Sequence, residues 1–340
     1  MTRGGGRGVA EVRLQSRAKA NRVRRTPIER YFARRQLALA RDVRPLKKLR
    51  EVDVSSWRIA GQETRGKREK FWVVDPQNQE WLRKEPREKR PYERAIEATV
   101  LRMARALGLA APASNLCCWV RTDGDSRTGI VVRRFATWPG RYEFSPGGDL
   151  IGGVDKSYVP LDRRAHTLDR IRFALEYWER QRNGIGLLQQ FADMVFFDAW
   201  IGNSDRHQEN WGILHNPAVA RLAPIFDTAA CLGAEQLDKY DLLADRRAVR
   251  LEEYVADCRS GFGDGVNKKL LKQEQVVSEM SRWPEWKESR RWLPKFDRLL
   301  RSEVAPYLAS VLDAFWPENR RELAGLLLRT RLDWLKAHVT

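Results

Sequence analysis

The sequence predicts an α+β protein of two lobes, a small β-rich one followed by a larger, mostly helical one, behind a basic N-terminal extension. Three observations carry this. Residues 1–50 hold 16 Lys/Arg against 3 Asp/Glu and so supply +13 of a total formal charge of +18. Short apolar runs separated by turn residues fall within 51–135, and helix-period apolar patterns at Gly186–Ile201 and Gly265–Thr340 fall within 136–340. At 340 residues and 42% hydrophobic content, the chain is long enough for both lobes and a substantial core.

In the extension, four glycines among the first eight residues predict no fixed structure for Met1–Gly8. Thr26-Pro27-Ile28-Glu29 reads as a capping box with proline at N1, opening a basic helix through Arg41 that Pro45 ends. In the small lobe, Phe71–Asp75 and Glu80–Lys84 read as strands joined by the turn Pro76-Gln-Asn-Gln, and Pro86 closes the second. A helix from Pro91 to Leu107 follows, with Ile96, Val100, Met103 and Leu107 as its core stripe and Gly108 as its stop. Gly129–Phe135 reads as a further strand.

The large lobe opens with a helix from Gly186 to Ile201, whose apolar face takes in Leu187, Leu188, Phe191, Met194, Val195, Asp198 and Ile201, with Gly202 as its C-cap. Two strands, Trp211–Leu214 and Leu222–Phe226, flank the turn His215-Asn216-Pro217. From Gly265 to Thr340 the pattern is helical, and Trp283, Trp286, Trp292, Trp316 and Trp334 are expected to fill the core.

Between helix and hairpin lies the chemistry. Asp205-Arg-His-Gln-Glu-Asn210, followed after the hairpin by Asp227, puts an acid, an amide and a second acid on one short scaffold. Phosphoryl transfer from ATP needs an oriented hydroxyl and Mg²⁺ held against the phosphates more than covalent chemistry, and Mg²⁺ takes one or two carboxylates plus phosphate oxygens and water. Asp205 is thus the candidate base, and Asn210 and Asp227 are the candidate Mg²⁺ ligands. The Asp-x-x-x-x-Asn interval equals that of the protein-kinase catalytic loop, although Asn203-Ser204 precedes it and Thr228-Ala229 follows Asp227. Asn, Asp and Ser also punctuate ordinary turns; the helix before and the hairpin after raise this set above a loop. His207 is the candidate for positioning the loop or the phosphate.

A kinase also pairs a strand lysine, which contacts the phosphates, with a helix carboxylate. Lys84, at the end of its strand, is the candidate lysine, with Glu97 or Glu93 as its partner. No Gly-x-Gly-x-x-Gly or Walker motif is present. The nearest phosphate-cradling segment is Gly61-Gln-Glu-Thr-Arg-Gly66-Lys67, with Lys67 or Lys70 adding charge; a plain surface turn is the competing reading.

These residues carry a resemblance. Phe197–Leu214, Leu222–Asp227 and Leu232-Gly233 resemble the C-terminal lobe of HipA-like serine/threonine kinases, and the likeness extends over Gly61–Gly233. It implies a two-lobed protein-kinase-like fold, ATP and Mg²⁺ as cofactors, and Asp205 as base with Asn210 and Asp227 on the metal. It further implies Glu97 as the partner of Lys84, a hinge at Gly129–Phe135, and a post-hinge loop at Tyr142–Leu150. The implied acceptor is a protein serine or threonine, and the implied setting is a toxin–antitoxin or defence role with a partner or antitoxin protein. That plan usually carries a further N-terminal subdomain, whose place the 50 basic residues take here. Phosphoinositide kinases share the Asp-Arg-His-x-x-Asn loop, which keeps a lipid or small-molecule acceptor as the alternative. A pseudokinase scaffold, working through its basic arm, is another.

The arm's charge density suits nucleic-acid or ribosome contact through counterion release, against the competing reading of a solubilising segment. No run approaches about 18 apolar residues and the N-terminus lacks an apolar signal core, so the expectation is a cytoplasmic protein with no membrane partner. Cys117, Cys118, Cys231 and Cys258 lack zinc-type spacing and read as reduced, mostly buried thiols.

Overall fold

The computed structural model describes residues 43–64, 69–135, 142–160, 162–181, 186–234, 248–266 and 269–339. The expected helix from Thr26 to Arg41 lies outside them, as do Gly66 and Lys67 of the expected phosphate loop.

Six strands form one sheet: β1 (Glu51–Asp53), β2 (Arg58–Glu63), β3 (Lys70–Val74), β4 (Glu80–Lys84), β5 (Ser114–Val120) and β6 (Ser126–Arg133). Their spatial order is β1-β5-β6-β4-β3-β2. All neighbours pair antiparallel except β1 with β5. Strands β3 and β4 fall where alternation and turn residues put them, and their turn places Asn78 in the left-handed region at φ 58°, which asparagine tolerates. Helix α1 (Glu93–Leu107) ends at Gly108, φ 85°, whose N–H bonds the carbonyls of Ala104 and Arg105. Val54, Val73, Trp81, Cys117, Trp119 and Val131 make the core of this sheet.

One expectation changes here. Gly61 does not stand in a loop ahead of the first strand but within β2, which pairs with β3 across a register irregularity between Ile59 and Gly61. As an edge strand β2 is mostly exposed, so it needs no apolar alternation and left none in the sequence.

The second region contains the sheet β7-β8-β9 (Glu143–Pro146, Gly212–His215, Ala220–Leu222), antiparallel throughout. Helices α2 (Gly147–Val154), α3 (Leu168–Gln181) and α4 (Leu187–Ile201) fall between β7 and β8 in the chain. After them come α5 (Ala248–Asp257), the hairpin β10 (Arg259–Gly263) and β11 (Leu270–Lys272), and helices α6 (Gln273–Met280), α7 (Pro284–Ser289), α8 (Leu293–Leu299), α9 (Ala305–Ala309) and α10 (Glu318–His338). The last expected strand, Leu222–Phe226, is displaced: β9 ends at Leu222, where that expectation began, because Pro224 has no N–H to give a ladder and the Ile225 N–H instead reaches Ala110 O at 2.7 Å.

Helix α4 is apolar on nearly every face and buried accordingly. Trp200 stacks on Phe296 at 4.2 Å and donates its indole N–H to Leu328 O at 3.0 Å. Trp283, Trp286, Trp292 and Trp316 are buried as expected, and Trp334 is half-buried. All four cysteines are free thiols, two of them buried. Among the described residues no helix is long and apolar enough to cross a membrane.

Candidate active site

The loop from Asn203 to Trp211 is fixed from below by one carboxylate. Asp198, on the last turn of α4 and only 3% exposed, accepts from Asn203 Nδ2 at 3.0 Å and from both Arg206 Nε and Nη2, at 2.6 and 2.8 Å. Gly202 makes the turn into the loop at φ 68°; a Cβ there would fall 2.5 Å from Arg331 Nε. Asn203 Oδ1 then receives the Asp205 N–H at 3.2 Å, while Ser204 donates twice to Ala230 O.

Arg206 is the keystone that sequence reasoning missed. It is 1% exposed, and its Nη1 donates to Asn210 O and, at 3.0 Å, to Phe226 O. One guanidinium therefore joins the helix, the Asn210 end of the loop and the residue before Asp227. Burial disfavours its charge, but Asp198, together with Asp227 and Asp205, outweighs burial and the Arg206 pKa is raised.

Behind the loop, Gly261 of β10 packs so closely that a Cβ would meet the Arg206 carbonyl carbon at 2.2 Å. The Gly261 carbonyl faces His166 Nδ1 at 3.1 Å, and Trp211 Nε1 faces His166 Nε2 at 2.8 Å. An indole nitrogen can only donate. His166 is therefore the neutral Nδ1–H tautomer, and burial pushes its pKa down to about 3.

Asp205 is one-third exposed, with Arg163 Nη1 at 3.4 Å and His207 Nε2 at 3.7 Å from its Oδ1. His207 Nδ1 accepts the Glu209 N–H at 3.2 Å, so in the neutral ring its proton sits on Nε2, facing Asp205. Burial lowers the His207 pKa against the pull of Asp205. Asn210 Nδ2 donates to Asp205 O at 2.7 Å, which turns the Asn210 Oδ1 away as an acceptor.

At the end of β4, Lys84 is buried with its Nζ 2.8 Å from Glu97 Oε1 and 3.2 Å from Asp227 Oδ1. Burial works against the ammonium, but Asp227 and Glu97 outweigh it and hold the Lys84 pKa above the ordinary lysine value. Glu93, the rival carboxylate, faces Arg87 and Arg90 instead, each at 3.5 Å. Asp227 adopts φ 51°, an unusual conformation for a non-glycine residue, of the kind that collects at working sites.

The structure thus sets Lys84 against both Glu97 and Asp227, joins Asn210 to the residue before Asp227 through Arg206, and places Asp205 between Asn210 and His207. It leaves Gly61 on edge strand β2, two strands from Lys84. Among the described residues no three His, Cys, Asp or Glu side chains form a metal cage, so a cation at Asn210 and Asp227 needs phosphate oxygens and water to complete its shell. The donor set fits Mg²⁺ carried on a nucleotide. A separate cavity of about 520 Å³, between Thr167–Arg172, Gly263–Val266 and Trp283, contains none of these residues.

Known proteins share this architecture. The model of the HipA-like C-terminal domain matches residues 62–301. Over 44 residues the chain is 48% identical to the serine/threonine-protein kinase CtkA of Helicobacter pylori, a stretch that spans 12% of this chain and 14% of that protein. The crystal structure of the proinflammatory kinase CtkA superposes with a TM-score of 0.65 at 18% identity, covering 85% of this chain and 98% of that one. HipA of Shewanella oneidensis MR-1, solved with HipB and operator DNA, gives 0.51 at 14% identity over 82% of this chain and 63% of its own. At such identities the likeness speaks for the fold, a two-lobed protein-kinase-like α+β architecture.

Proposed function

The chain belongs to the HipA-like C-terminal domain family, and from that premise we propose that it is a protein kinase moving the γ-phosphoryl group of ATP to a serine or threonine hydroxyl of a protein. The observation that carries this reading is the Lys84 ammonium held between Glu97 at 2.8 Å and Asp227 at 3.2 Å. An ammonium has three donors, so one remains for a phosphate oxygen while Glu97 keeps the side chain in place.

Asn210 and Asp227 are the residues that would hold Mg²⁺, which neutralises charge across the phosphates when bound. Asp205 receives the proton of the acceptor hydroxyl. His207 presents its Nε2–H toward that carboxylate and restricts its orientation. Arg206 keeps base and ligands in register, since it bonds the carbonyls of Asn210 and Phe226 at once.

The acceptor is read as protein, in line with the CtkA relative, a serine/threonine-protein kinase. The Asp-Arg-His likeness to phosphoinositide kinases does not favour a lipid, because Arg206 is buried in the scaffold and meets no headgroup. Residues 1–50 form a polyanion-binding arm in this proposal, and a partner protein stays part of it, as HipA was solved with both HipB and DNA. The test is a kinase reaction in host lysate with mass-spectrometric site mapping, wild type against Asp227→Ala. Serine and threonine sites that vanish with the variant are expected; identical site sets from both proteins sink the proposal.

A further inference from the structure

Arg163 is a cation beside the Asp205 carboxylate that the phosphoryl-transfer reading has not used. It opens the 3₁₀ turn Arg163–Ala165 and places its Nη1 3.4 Å from Asp205 Oδ1. Its side chain is 51% exposed, and this contact takes one of the five N–H donors that a guanidinium carries. An ion pair of that length and exposure adds little to stability.

The turn is nevertheless fixed from several sides. Asp162 Oδ1 accepts the Arg164 N–H at 3.0 Å and Arg164 Nε at 2.6 Å. The His166 N–H closes the turn on Arg163 O at 3.3 Å, and the Gly263 N–H holds His166 O at 3.0 Å. A Cβ on Gly263 would overlap the Arg164 carbonyl, just as one on Gly261 would overlap the Arg206 backbone. Alternate residues of β10 thus seat Arg164 and Arg206, the residues that follow Arg163 and Asp205. Backbone packing, not the exposed contact, sets the arginine against the base.

The other basic groups around Asp205 are committed. Arg206 is buried against Asp198, and Lys84 is held between Glu97 and Asp227. Burial lowers the His207 pKa, which leaves its ring neutral at pH 7, and that ring lies within electrostatic reach of Asp205, Arg163 and Asp227 together. Phosphoryl transfer spreads charge over the non-bridging oxygens of the moving group, and fixed donors aimed at such charge are usually the largest catalytic contribution. We propose that Arg163 is a catalytic residue, donating to a non-bridging oxygen of the γ-phosphoryl group as it passes to the acceptor. In that step the acceptor oxygen bonds the γ-phosphorus while the bond from that phosphorus to the β,γ-bridging oxygen breaks. ADP leaves with the electron pair, the acceptor proton goes to Asp205, and Arg163 keeps all of its own protons. The planar fork lets one nitrogen stay near Asp205 while another reaches the phosphoryl oxygen. This rests on the kinase reading above and adds a residue to it.

The test compares wild type, Arg163→Ala and Arg163→Lys, which are expected to melt alike because the side chain is half exposed. Calorimetry measures binding of Mg·ADP alone and of Mg·ADP with tetrafluoroaluminate, a planar stand-in for the phosphoryl group in flight. Mg·ADP is expected to bind all three equally, and tetrafluoroaluminate to tighten wild type by about 10²-fold but Arg163→Ala hardly at all. With ATP and a degenerate serine peptide pool, Arg163→Ala is expected to lose kcat by on the order of 10²–10³-fold at unchanged KM. Arg163→Lys should fall between, and added guanidinium should recover part of the alanine loss, a rescue that a structural role does not give. Equal tightening by tetrafluoroaluminate in wild type and Arg163→Ala, or a loss confined to the acceptor KM, overturns the role and leaves the kinase reading intact. A wild type that binds no nucleotide and transfers no phosphate refutes that reading and the role of Arg163 with it.

Discussion

Arg206→Ala is the perturbation that the structure prices most clearly. The guanidinium is 1% exposed and pairs with Asp198 through two bonds of 2.6 and 2.8 Å. Removing it strands a carboxylate that is itself only 3% exposed, a change that costs about 3–5 kcal/mol for a buried pair. The carbonyls of Asn210 and Phe226 also lose their donor, so the upper half of that range is expected. For a domain of this size the loss corresponds to a fall in melting temperature on the order of 10 °C. Arg206→Lys keeps the charge but not the fork, and is expected to recover less than half of it. Because the two side chains act as one unit, Asp198→Ala with Arg206→Ala should cost well under the sum of the single changes. Urea unfolding followed by tryptophan fluorescence measures the wild type, Arg206→Ala, Arg206→Lys, Asp198→Ala and the double variant. Wild-type stability in Arg206→Lys, or strict additivity in the double variant, refutes the reasoning.

Three further outcomes follow from the same geometry. Gly261→Ala places a methyl 2.2 Å from the Arg206 carbonyl carbon, so the loop must shift by about 1 Å; kcat is expected to fall roughly 10²-fold with a stability loss of only about 1–3 kcal/mol, and unchanged turnover speaks against the loop's placement. His166, held neutral with a pKa near 3 against an ordinary 6.5, contributes stability that is complete above about pH 6.5 and declines toward pH 3, because the unfolded chain takes up the proton first; the slope attains at most ~1.4 kcal/mol per pH unit, and His166→Asn should flatten the unfolding profile between pH 7 and 4.5. Residues 1–50, with their +13, should retain duplex DNA or RNA in gel shifts at low salt and release it steeply as salt rises; equal retention by a chain lacking them removes the arm from the account.

How far the sequence could be read depended on how local each signal was. Strands β3 and β4, α1 and α4 were legible because apolar period, turn residues and capping glycines agree within a dozen positions. Edge strand β2 and parallel strand β1 were not, since exposed polar residues and pairing with the distant β5 leave no local pattern. Lys84, Glu97, Asp205, Asn210 and Asp227 stood out through short spacings or the family resemblance. Arg206 and Asp198 were overlooked for an instructive reason: Asp198 had been counted within an apolar face. A lone acid in the buried face of a helix demands a cation, and the arginine eight residues on was the available one. His166 and Gly261 meet across 95 positions, and no single-chain pattern announces such a pair.

The account stands or falls on label transfer by the purified chain: [γ-³²P]ATP with and without Mg²⁺, wild type beside Asp205→Asn, with nucleotide binding measured on both. Mg²⁺-dependent labelling of serine or threonine in a protein acceptor by wild type is expected, together with a variant that binds ATP and labels nothing. Undiminished labelling by Asp205→Asn, or a wild type that binds no nucleotide, contradicts it.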